Sequence, residues 1–271
     1  MIHPTAIIHP GAVLDPTVDV GPYAVIDAHV AIGPRCMVGP HVHLTGHTVI
    51  GADNRFHAGC VIGDAPQDLK YRDEPTRLRI GDGNVFREHA TVHRSNRLDE
   101  DTVIGSHNFL MAHSHVGHNV RVGDRVVLAN GALLAGHTMV QDGAMISGHC
   151  LVHQFTRVGP LALMQGGAAV SKDVPPFTVA RGYNALCGLN VVGLRRAGVG
   201  PDQRQVLKRL YRVLFRSGLN LREAVARAQS EFTAPWARAM LDFIAESRRG
   251  VCVHAAKGRE MEWSDADSEG A

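Results

Sequence analysis

The chain has 271 residues and a net charge of +2, with 45% hydrophobic but only 5% aromatic residues. The balanced charge gives no reason to expect nucleic acid as a partner. Five cysteines without a CxxC pair argue against a disulfide framework or a zinc knuckle, and favour a reducing compartment. No apolar run approaches the roughly 18 residues of a membrane helix, and MIHPTAIIHPG at the N-terminus does not resemble a signal peptide. We therefore expect a cytoplasmic protein with no integral membrane segment.

The main signal is an apolar residue at every sixth position, from Ile2 to Val170. Within this series only Asp68 and Glu74 are polar, and a glycine often follows the apolar position. A period of six fits neither an amphipathic helix nor a single strand. It is typical of short strands joined by tight turns, in which three hexapeptides close a triangular coil around stacked aliphatic side chains. The sequence therefore predicts a mainly β fold, a parallel β-helix.

Two segments leave this pattern. The first excursion, near 64–79, is charged and contains Pro66 and Pro75, so it either replaces three hexapeptides or loops out between coils. The second excursion, near 93–103, makes Leu98 an apolar residue that matches the period by coincidence. Because loops that leave a rigid scaffold often carry function, we expect both excursions to lie near the site.

The pattern changes again after the repeat. Pro175 and Pro176 cannot continue a sheet ladder, so the β-helix is expected to end near them. Three amphipathic helices are predicted to start near Pro201, Asn220 and Pro235. The predicted domains are a β-helix over 1–183, a small α-helical domain over 184–257 and a disordered tail over 258–271.

Histidines are numerous, at 17, and most have no more than a surface role in this interpretation. The group His113, His115 and His118 lies in consecutive hexapeptides, and residues 18 apart stack on successive coils. His118 should therefore lie beside Gly136 and His137, with His149 and with His153 and Gln154 following along the chain. An imidazole can act as a general base while a backbone N–H beside a glycine binds an oxyanion, which suits acyl transfer. Three histidines could equally bind zinc.

Several longer motifs favour one family. They are QDLKY (67–71), EPTRLRIGD (74–82), VLANGALLAGH (127–137), HQF (153–155), DVPPF (173–177) and GLRR (193–196). With these motifs the chain resembles the UDP-N-acetylglucosamine O-acyltransferases over about residues 1–250. The resemblance implies a left-handed β-helix and a homotrimer with sites between adjacent prisms. It also implies transfer of a 3-hydroxyacyl group from acyl carrier protein to the glucosamine 3-position of UDP-N-acetylglucosamine, in lipid A biosynthesis, without a cofactor or a metal.

The resemblance also implies roles for single residues. His118 would be the general base, and the Gly136 amide would bind the oxyanion. Gly166 would lie where the family measures acyl length, and a small residue there leaves room for a long chain. The remaining substrate-binding residues are Gln67, Asp68, Lys70, His115 and His137 around the sugar and thioester, and His153, Gln154, Asn190 and Arg196 at the nucleotide.

Two positions depart from the family pattern. The residue after the general base is often acidic in the family, whereas here it is Asn119, which can form hydrogen bonds but cannot stabilise an imidazolium by charge. Ala197 follows GLRR where a further basic residue is common, so one phosphate contact is expected to be absent.

The residues leave more than one function open. One is a related hexapeptide acyltransferase with another donor or acceptor, such as a 3-amino sugar nucleotide. The N-acyltransferase of the same pathway is disfavoured because the repeat already starts at Ile2, and acetyl-CoA as donor is disfavoured by QDLKY. Two functions from different classes are a zinc-dependent protein like the γ-carbonic anhydrases and a non-catalytic solenoid. Basic residues on the C-terminal helices either steer the acidic acyl carrier protein or form a solvated face.

Overall fold

In the computed structural model, which describes residues 1–254, each hexapeptide of the repeat forms a short strand and a turn. The first fourteen strands are β1 Ile7–Ile8, β2 Val13–Leu14, β3 Asp19–Val20, β4 Val25–Ile26, β5 Val30–Ile32, β6 Met37–Val38, β7 His43–Leu44, β8 His47–Ile50, β9 Arg55–Phe56, β10 Val61–Asp64, β11 Arg77–Ile80, β12 Val85–Phe86, β13 Thr91–His93 and β14 Thr102–Ile104.

The chain continues with shorter strands and then helices. These elements are β15 Phe109–Leu110, β16 His115–Val116, β17 Arg121–Val122, β18 Val127–Leu128, β19 Leu133–Leu134, β20 Met139–Val140, β21 Met145–Ile146, β22 Leu151–Val152, β23 Arg157–Val158, β24 Leu163–Met164, β25 Ala169–Val170, β26 Thr178–Arg181, β27 Ala185–Leu189, α1 Val191–Arg196, α2 Pro201–Arg216, α3 Leu221–Glu231, α4 Pro235–Ala245 and β28 Val253–His254.

Over the described residues the strands form three sheets of nine, eight and eleven strands, which are the faces of a prism. From β1 to β25 successive strands enter successive sheets, and each strand up to β22 pairs in parallel with the strand one coil later, as Ile8 does with Ile26. Eighteen residues therefore make one coil, as the period of six predicts. The register places the apolar position of every hexapeptide above its counterpart in the coil below.

The core of the prism consists of these apolar positions. From Val20 to Val170 they are at most 4% exposed within the coils, and Phe56 stacks on Phe86 with ring centroids 4.8 Å apart. Each fully buried aliphatic side chain contributes about 1.5–3 kcal/mol relative to exposure. Because each coil covers the next, this contribution is repeated along the whole prism.

The corners of the prism adopt backbone conformations with positive φ, as at His113 (59°) and His137 (59°). This left-handed region is strained for most side chains, and asparagine, aspartate and histidine tolerate it better than others. The corners thus explain part of the excess of histidine. The histidines with positive φ are His41, His89, His107, His113, His137 and His149.

The two excursions loop out of the prism. Ile50 pairs with Ile80, and Ile80 with Ile104, which are 30 and 24 positions apart in place of 18. Twelve extra residues therefore leave the coil between Ile62 and Ile80, and six between β13 and β14. Leu98 is 55% exposed, so its match to the period is a coincidence.

The C-terminal helices pack on the end of the prism through a second apolar core. Phe177 contacts Trp236 edge-on, and Leu207, Leu210 and Leu241 are buried beside them. The short helix α1 was absent from the sequence prediction because six residues show too little periodicity. α3 begins where predicted, since the Asn220 side chain accepts the Glu223 backbone N–H.

The boundary between the two regions is not sharp, because β27 and β28 extend the eleven-stranded sheet beyond residue 183. The predicted domain limits therefore stay predictions, and the tail over 258–271 lies outside the described residues. Within residues 1–254, every helix is too short or too polar to cross a membrane.

Candidate active site

One corner of the prism brings His118, Gly136 and Gln154 into a column. The strands before them are in register, with Val116 opposite Leu134 and Leu134 opposite Val152. Each of the three residues follows its strand by two positions, at an equivalent point of successive coils. The 18-residue spacing therefore places an imidazole, a glycine and an amide side chain along one edge of the nine-stranded sheet.

His118 and Gly136 are in close contact. A Cβ atom built on Gly136 would lie 2.6 Å from His118 Cε1 and 2.7 Å from Nε2, a distance that real Cβ atoms do not reach. Gly117 is similarly constrained, because its Cβ would lie 2.9 Å from the Gly136 nitrogen. Among residues 1–254 the Gly136 N–H has no hydrogen-bond acceptor. Two glycines thus leave an open N–H donor beside an imidazole.

The tautomer of His118 follows from its neighbours. His118 Nδ1 lies 2.9 Å from Asn119 Oδ1, which also accepts the Asn96 backbone N–H at 3.1 Å. Asn119 Nδ2 donates to Ser95 Oγ at 2.7 Å and to Glu100 Oε2 at 3.2 Å. These contacts fix which end of the Asn119 amide is oxygen, so His118 Nδ1 carries the proton. The Nε2 atom of neutral His118 is then free to accept a proton.

A cavity of about 750 Å³ lies over this corner and the adjoining face of the nine-stranded sheet. Its walls include Leu133, Leu151 and Ala169, which follow one another in register on β19, β22 and β25. Beside this apolar strip the cavity has a polar end. The predicted site residues that line it are Gln67, His115, His118, Gly136, His153 and Gln154.

Four polar residues of the cavity were absent from the sequence prediction. His93 opens the second excursion, and that position was an available signal. Ser171, Tyr183 and Arg249 lie far along the chain in segments without a motif of their own. Ser171 is 18 residues after His153, so the coil spacing was an available signal for it. Spacing could not have found Tyr183 and Arg249, because the chain after β25 and the end of the helical region bring them to the cavity.

His115 is a half-buried, neutral imidazole at the polar end. Its Nδ1 shares a hydrogen bond of 2.7 Å with Thr91 Oγ1, and its ring meets His93 edge-on at 4.8 Å. Burial, assisted by the nearby His93 and His118, lowers the pKa of His115 to about 4. His115 is therefore uncharged near neutral pH and can exchange hydrogen bonds with a neutral hydroxyl.

The first excursion places Asp68 near the imidazole column. Asp68 Oδ2 accepts a hydrogen bond of 2.7 Å from Asn96 Nδ2, and its Oδ1 accepts the Lys70 backbone N–H at 2.9 Å. The Lys70 hydrogen bond first, then Asn96 and the charge of His118, lower the pKa of Asp68. Lys70 itself is exposed. The excursions thus meet at Asn96, which joins Asp68 to Asn119.

His137 adjoins the site without lining the cavity. Its ring meets His118 edge-on at 5.2 Å and stacks on Phe155 at 4.8 Å. Burial lowers the pKa of His137. His113 and His149 occupy a different corner and do not reach this cavity; His113 stacks on His89 there.

Three other predicted residues lie away from the cavity of their own chain. Asn190 is 8% exposed and caps α1, since its Oδ1 accepts from Gly193 N and its Nδ2 donates to Leu161 O, both at 2.9 Å. Arg196 is exposed in the last turn of α1. Gly166 is exposed, and an added Cβ would meet only Gly148 O, at 3.6 Å.

A zinc site requires three ligands that converge. In the described part of one chain, no three histidine, cysteine, aspartate or glutamate side chains are placed to hold a metal ion. The three clustered histidines instead contact separate partners. His113 stacks on His89, His115 forms a hydrogen bond with Thr91, and His118 forms one with Asn119.

Comparison with known families agrees with this architecture. Residues 173–252 match the family described as UDP N-acetylglucosamine O-acyltransferase, domain 2. Residues 29–64 and 101–136 match the bacterial transferase hexapeptide family. The fold is accordingly a left-handed β-helix followed by a small helical region.

Curated relatives are similar over nearly their full length. A protein of Burkholderia orbicola is 46% identical over 258 residues, covering 92% of this chain and 98% of the relative. One of Halorhodospira halophila is 49% identical over 255 residues, with the same coverage. Both are named acyl-[acyl-carrier-protein]–UDP-N-acetylglucosamine O-acyltransferase.

Solved structures show the same fold. The UDP-N-acetylglucosamine acyltransferase of Francisella novicida superimposes with a TM-score of 0.90 at 34% identity, covering 95% of both chains. The Arabidopsis enzyme gives a TM-score of 0.83 at 35% identity, covering 93% of this chain and all of the other. From these full-length similarities, the chain belongs to the UDP-N-acetylglucosamine O-acyltransferase family.

Proposed function

We propose that this protein transfers a 3-hydroxyacyl group from acyl carrier protein to the glucosamine 3-hydroxyl of UDP-N-acetylglucosamine, with His118 as the general base. The observation that carries this proposal is the contact between His118 and the open N–H of Gly136 at one end of a cavity. The family membership supports the same reaction, because the curated relatives carry that activity in their names.

The His118 imidazole and the Gly136 N–H act on different atoms during the transfer. His118 Nε2 takes the proton of the sugar hydroxyl as that oxygen attacks the thioester carbonyl carbon. The carbonyl oxygen becomes negative and accepts a hydrogen bond from the Gly136 N–H. When the carbon–sulfur bond breaks, the imidazolium returns the proton to the leaving thiolate. The products are the sugar ester and the thiol, and no covalent enzyme intermediate is required.

The cavity suggests where the substrates bind. The strip of Leu133, Leu151 and Ala169 is apolar and fits an alkyl chain, whereas His153 and Gln154 offer exposed polar groups to a nucleotide. Gln67, Asp68 and Lys70 belong to the first excursion and are proposed to contact the sugar and the thioester arm. In the proposal the reacting atoms lie where the polar and apolar parts meet, beside His118.

The predicted homotrimer gives a role to residues outside the cavity. Arg196 and Gly166 are exposed and lie away from His118 of their own chain. In the proposal a neighbouring copy brings Arg196 to the nucleotide phosphates, to which a guanidinium is well suited. Mass measurement by light scattering should give three chains, and a monomer with full activity would contradict this arrangement.

The acyl length is proposed to depend on Gly166. An added side chain has room there, because only Gly148 O is near, so Gly166→Met should fold normally. Wild type should prefer long 3-hydroxyacyl donors and Gly166→Met shorter ones, measured with acyl carrier proteins of graded chain length. An unchanged preference would remove Gly166 from the acyl site.

The central test is acyl transfer from 3-hydroxymyristoyl acyl carrier protein to UDP-N-acetylglucosamine. His118→Ala should lose nearly all activity, whereas His113→Asn should keep it, since His113 lies at another corner and asparagine tolerates positive φ. Transfer only to the 3-amino analogue of the sugar would show that the acceptor is an amine and the product an amide, and not the proposed ester. Absence of transfer to either acceptor would refute the proposal.

A further inference from the structure

Asn119 poses a problem for the proposed base, because a neutral amide cannot stabilise the imidazolium that forms during proton transfer. A carboxylate is nevertheless close. Glu100 Oε2 accepts a hydrogen bond of 3.2 Å from Asn119 Nδ2, on the side of the amide opposite His118. The order of groups is therefore imidazole, amide, carboxylate.

We propose that Glu100 is a positioning residue for His118, acting through Asn119. The inference rests on the proposed role of His118 as the base. In this arrangement Glu100 orients the Asn119 amide so that Oδ1 receives the His118 Nδ1–H, and it supplies the negative charge that residue 119 lacks. Glu100 does not line the cavity and is not a catalytic residue.

The second excursion is built around Asn119. Asn119 is 2% exposed; its Nδ2 donates to Ser95 Oγ and Glu100 Oε2, and its Oδ1 accepts the Asn96 backbone N–H. Its own backbone N–H donates to Thr102 Oγ1 at 2.7 Å. A bridge between Arg97 and Glu100 closes the turn that presents the carboxylate. Three residues of this loop, Ser95, Asn96 and Glu100, thus form the polar surroundings of the Asn119 amide.

The charged groups around Glu100 do not neutralise its carboxylate by close ion pairing. Arg121 Nε lies 4.0 Å from Oε1, and His137 Nδ1 lies 3.9 Å from Oε2, so neither forms a close ion pair. Arg97 lies on the same turn, and Asp68 faces His118 from the first excursion. The Glu100 side chain is 28% exposed, so water weakens its field without removing it.

A purely structural role would have Glu100 only complete the hydrogen bonds of Asn119. Glu100→Gln separates the two roles, because glutamine keeps an oxygen that can accept from Asn119 Nδ2 but carries no charge. A structural role predicts no change in the pH profile. A charge role predicts a change in both the rate and its pH dependence.

The experiment is the pH dependence of kcat for acyl transfer in wild type and variants. In Glu100→Gln the kcat plateau should fall roughly tenfold, with an unchanged KM for the sugar nucleotide. The rate loss on the acidic side should move to lower pH by about half a unit to one unit, because a lost carboxylate disfavours the protonated imidazole. Asp99→Asn removes a charge from the same loop at an exposed position and should match wild type.

A second substitution tests whether Glu100 acts on His118 through Asn119, an arrangement called the relay below. Asn119→Asp places a carboxylate in direct contact with His118. The double variant Asn119→Asp with Glu100→Gln should therefore recover the plateau value of kcat. The midpoint, the pH at which kcat falls to half on the acidic side, should return to that of wild type or rise above it. Thermal unfolding of each variant shows whether it is folded.

The outcomes separate this inference from the proposed function. If His118→Ala is inactive while Glu100→Gln equals Asp99→Asn in plateau and midpoint, the relay is wrong and the base assignment stands. If His118→Ala retains transfer, the base assignment and the relay both fail. Lower kcat in Glu100→Gln, with the shifted midpoint and recovery by Asn119→Asp, supports the relay.

Discussion

The Cα of Gly136 faces the imidazole of His118 so closely that an added Cβ would lie 2.6 Å from Cε1. Gly136→Ala should therefore push the His118 ring away from the open N–H and lower kcat about 100-fold or more, since one lost oxyanion donor costs that much. Gly200→Ala is the control away from the cavity, because its φ is −63° and its added Cβ would meet only Gln203 Oε1, at 3.9 Å. Equal activity of the two variants would contradict the placement of the oxyanion.

His115 should make stability depend on pH. Its pKa is lowered to about 4 in the folded protein, against about 6.5 when unfolded, so its stabilising contribution is complete above pH 6.5 and is lost as the pH falls toward 4. The loss from this group should reach at most about 3 kcal/mol.

Urea unfolding at a series of pH values between 7 and 4.5 measures this effect. His115→Gln should flatten the decline, whereas His3→Gln, at an exposed position of the first coil, should leave it as in wild type. Part of the slope should remain in His115→Gln because burial also lowers the pKa of His93 and His137. Identical slopes for His115→Gln and wild type would assign the pH dependence to other groups.

The ion pair between Arg157 and Asp173 fastens the helical region to the prism. Asp173 is 1% exposed, and its Oδ2 accepts from Arg157 Nε at 2.9 Å and from Ser247 Oγ at 2.8 Å. Asp173→Ala removes the buried carboxylate and leaves Arg157, whose side chain is 20% exposed, with Glu246 as its remaining charge partner at 3.4 Å. The variant should be destabilised by about 2–3 kcal/mol in urea unfolding, the contribution of hydrogen bonds to a charged group. Glu88→Ala breaks the half-exposed pair with Arg87 and should cost less than about 1 kcal/mol.

A basic stripe on α2 is predicted to steer acyl carrier protein. Arg204, Lys208, Arg212 and Arg216 are four positions apart and therefore share one face of the helix, beside a cavity of about 250 Å³. The KM for acyl carrier protein should rise several-fold between roughly 0.05 and 0.3 M salt.

The same stripe can be tested by charge reversal. Lys208→Glu should raise the KM for the acyl carrier protein and reduce its salt dependence, with kcat unchanged. Arg227→Glu reverses a charge on the exposed face of α3 and serves as the control. If both variants raise the KM equally, net charge and not the stripe is responsible.

The sequence by itself determined the prism and the column at its active corner. Both depend on spacing: six residues per face and 18 per coil place His118, Gly136 and Gln154 at equivalent points, whatever the distant parts of the chain do. The coils are repeated local units, and the aliphatic position of each is sufficient to set its register.

The tertiary structure alone decided the surroundings of that column. Asn190 caps a helix that periodicity did not show, and Glu100 reaches Asn119 only because the second excursion folds back over the prism. Tyr183 and Arg249 reach the cavity from segments more than 60 residues from His118 in sequence. The excursions lack the repeat, so their conformations follow from side-chain contacts with distant residues, and a spacing rule carries no information about such contacts.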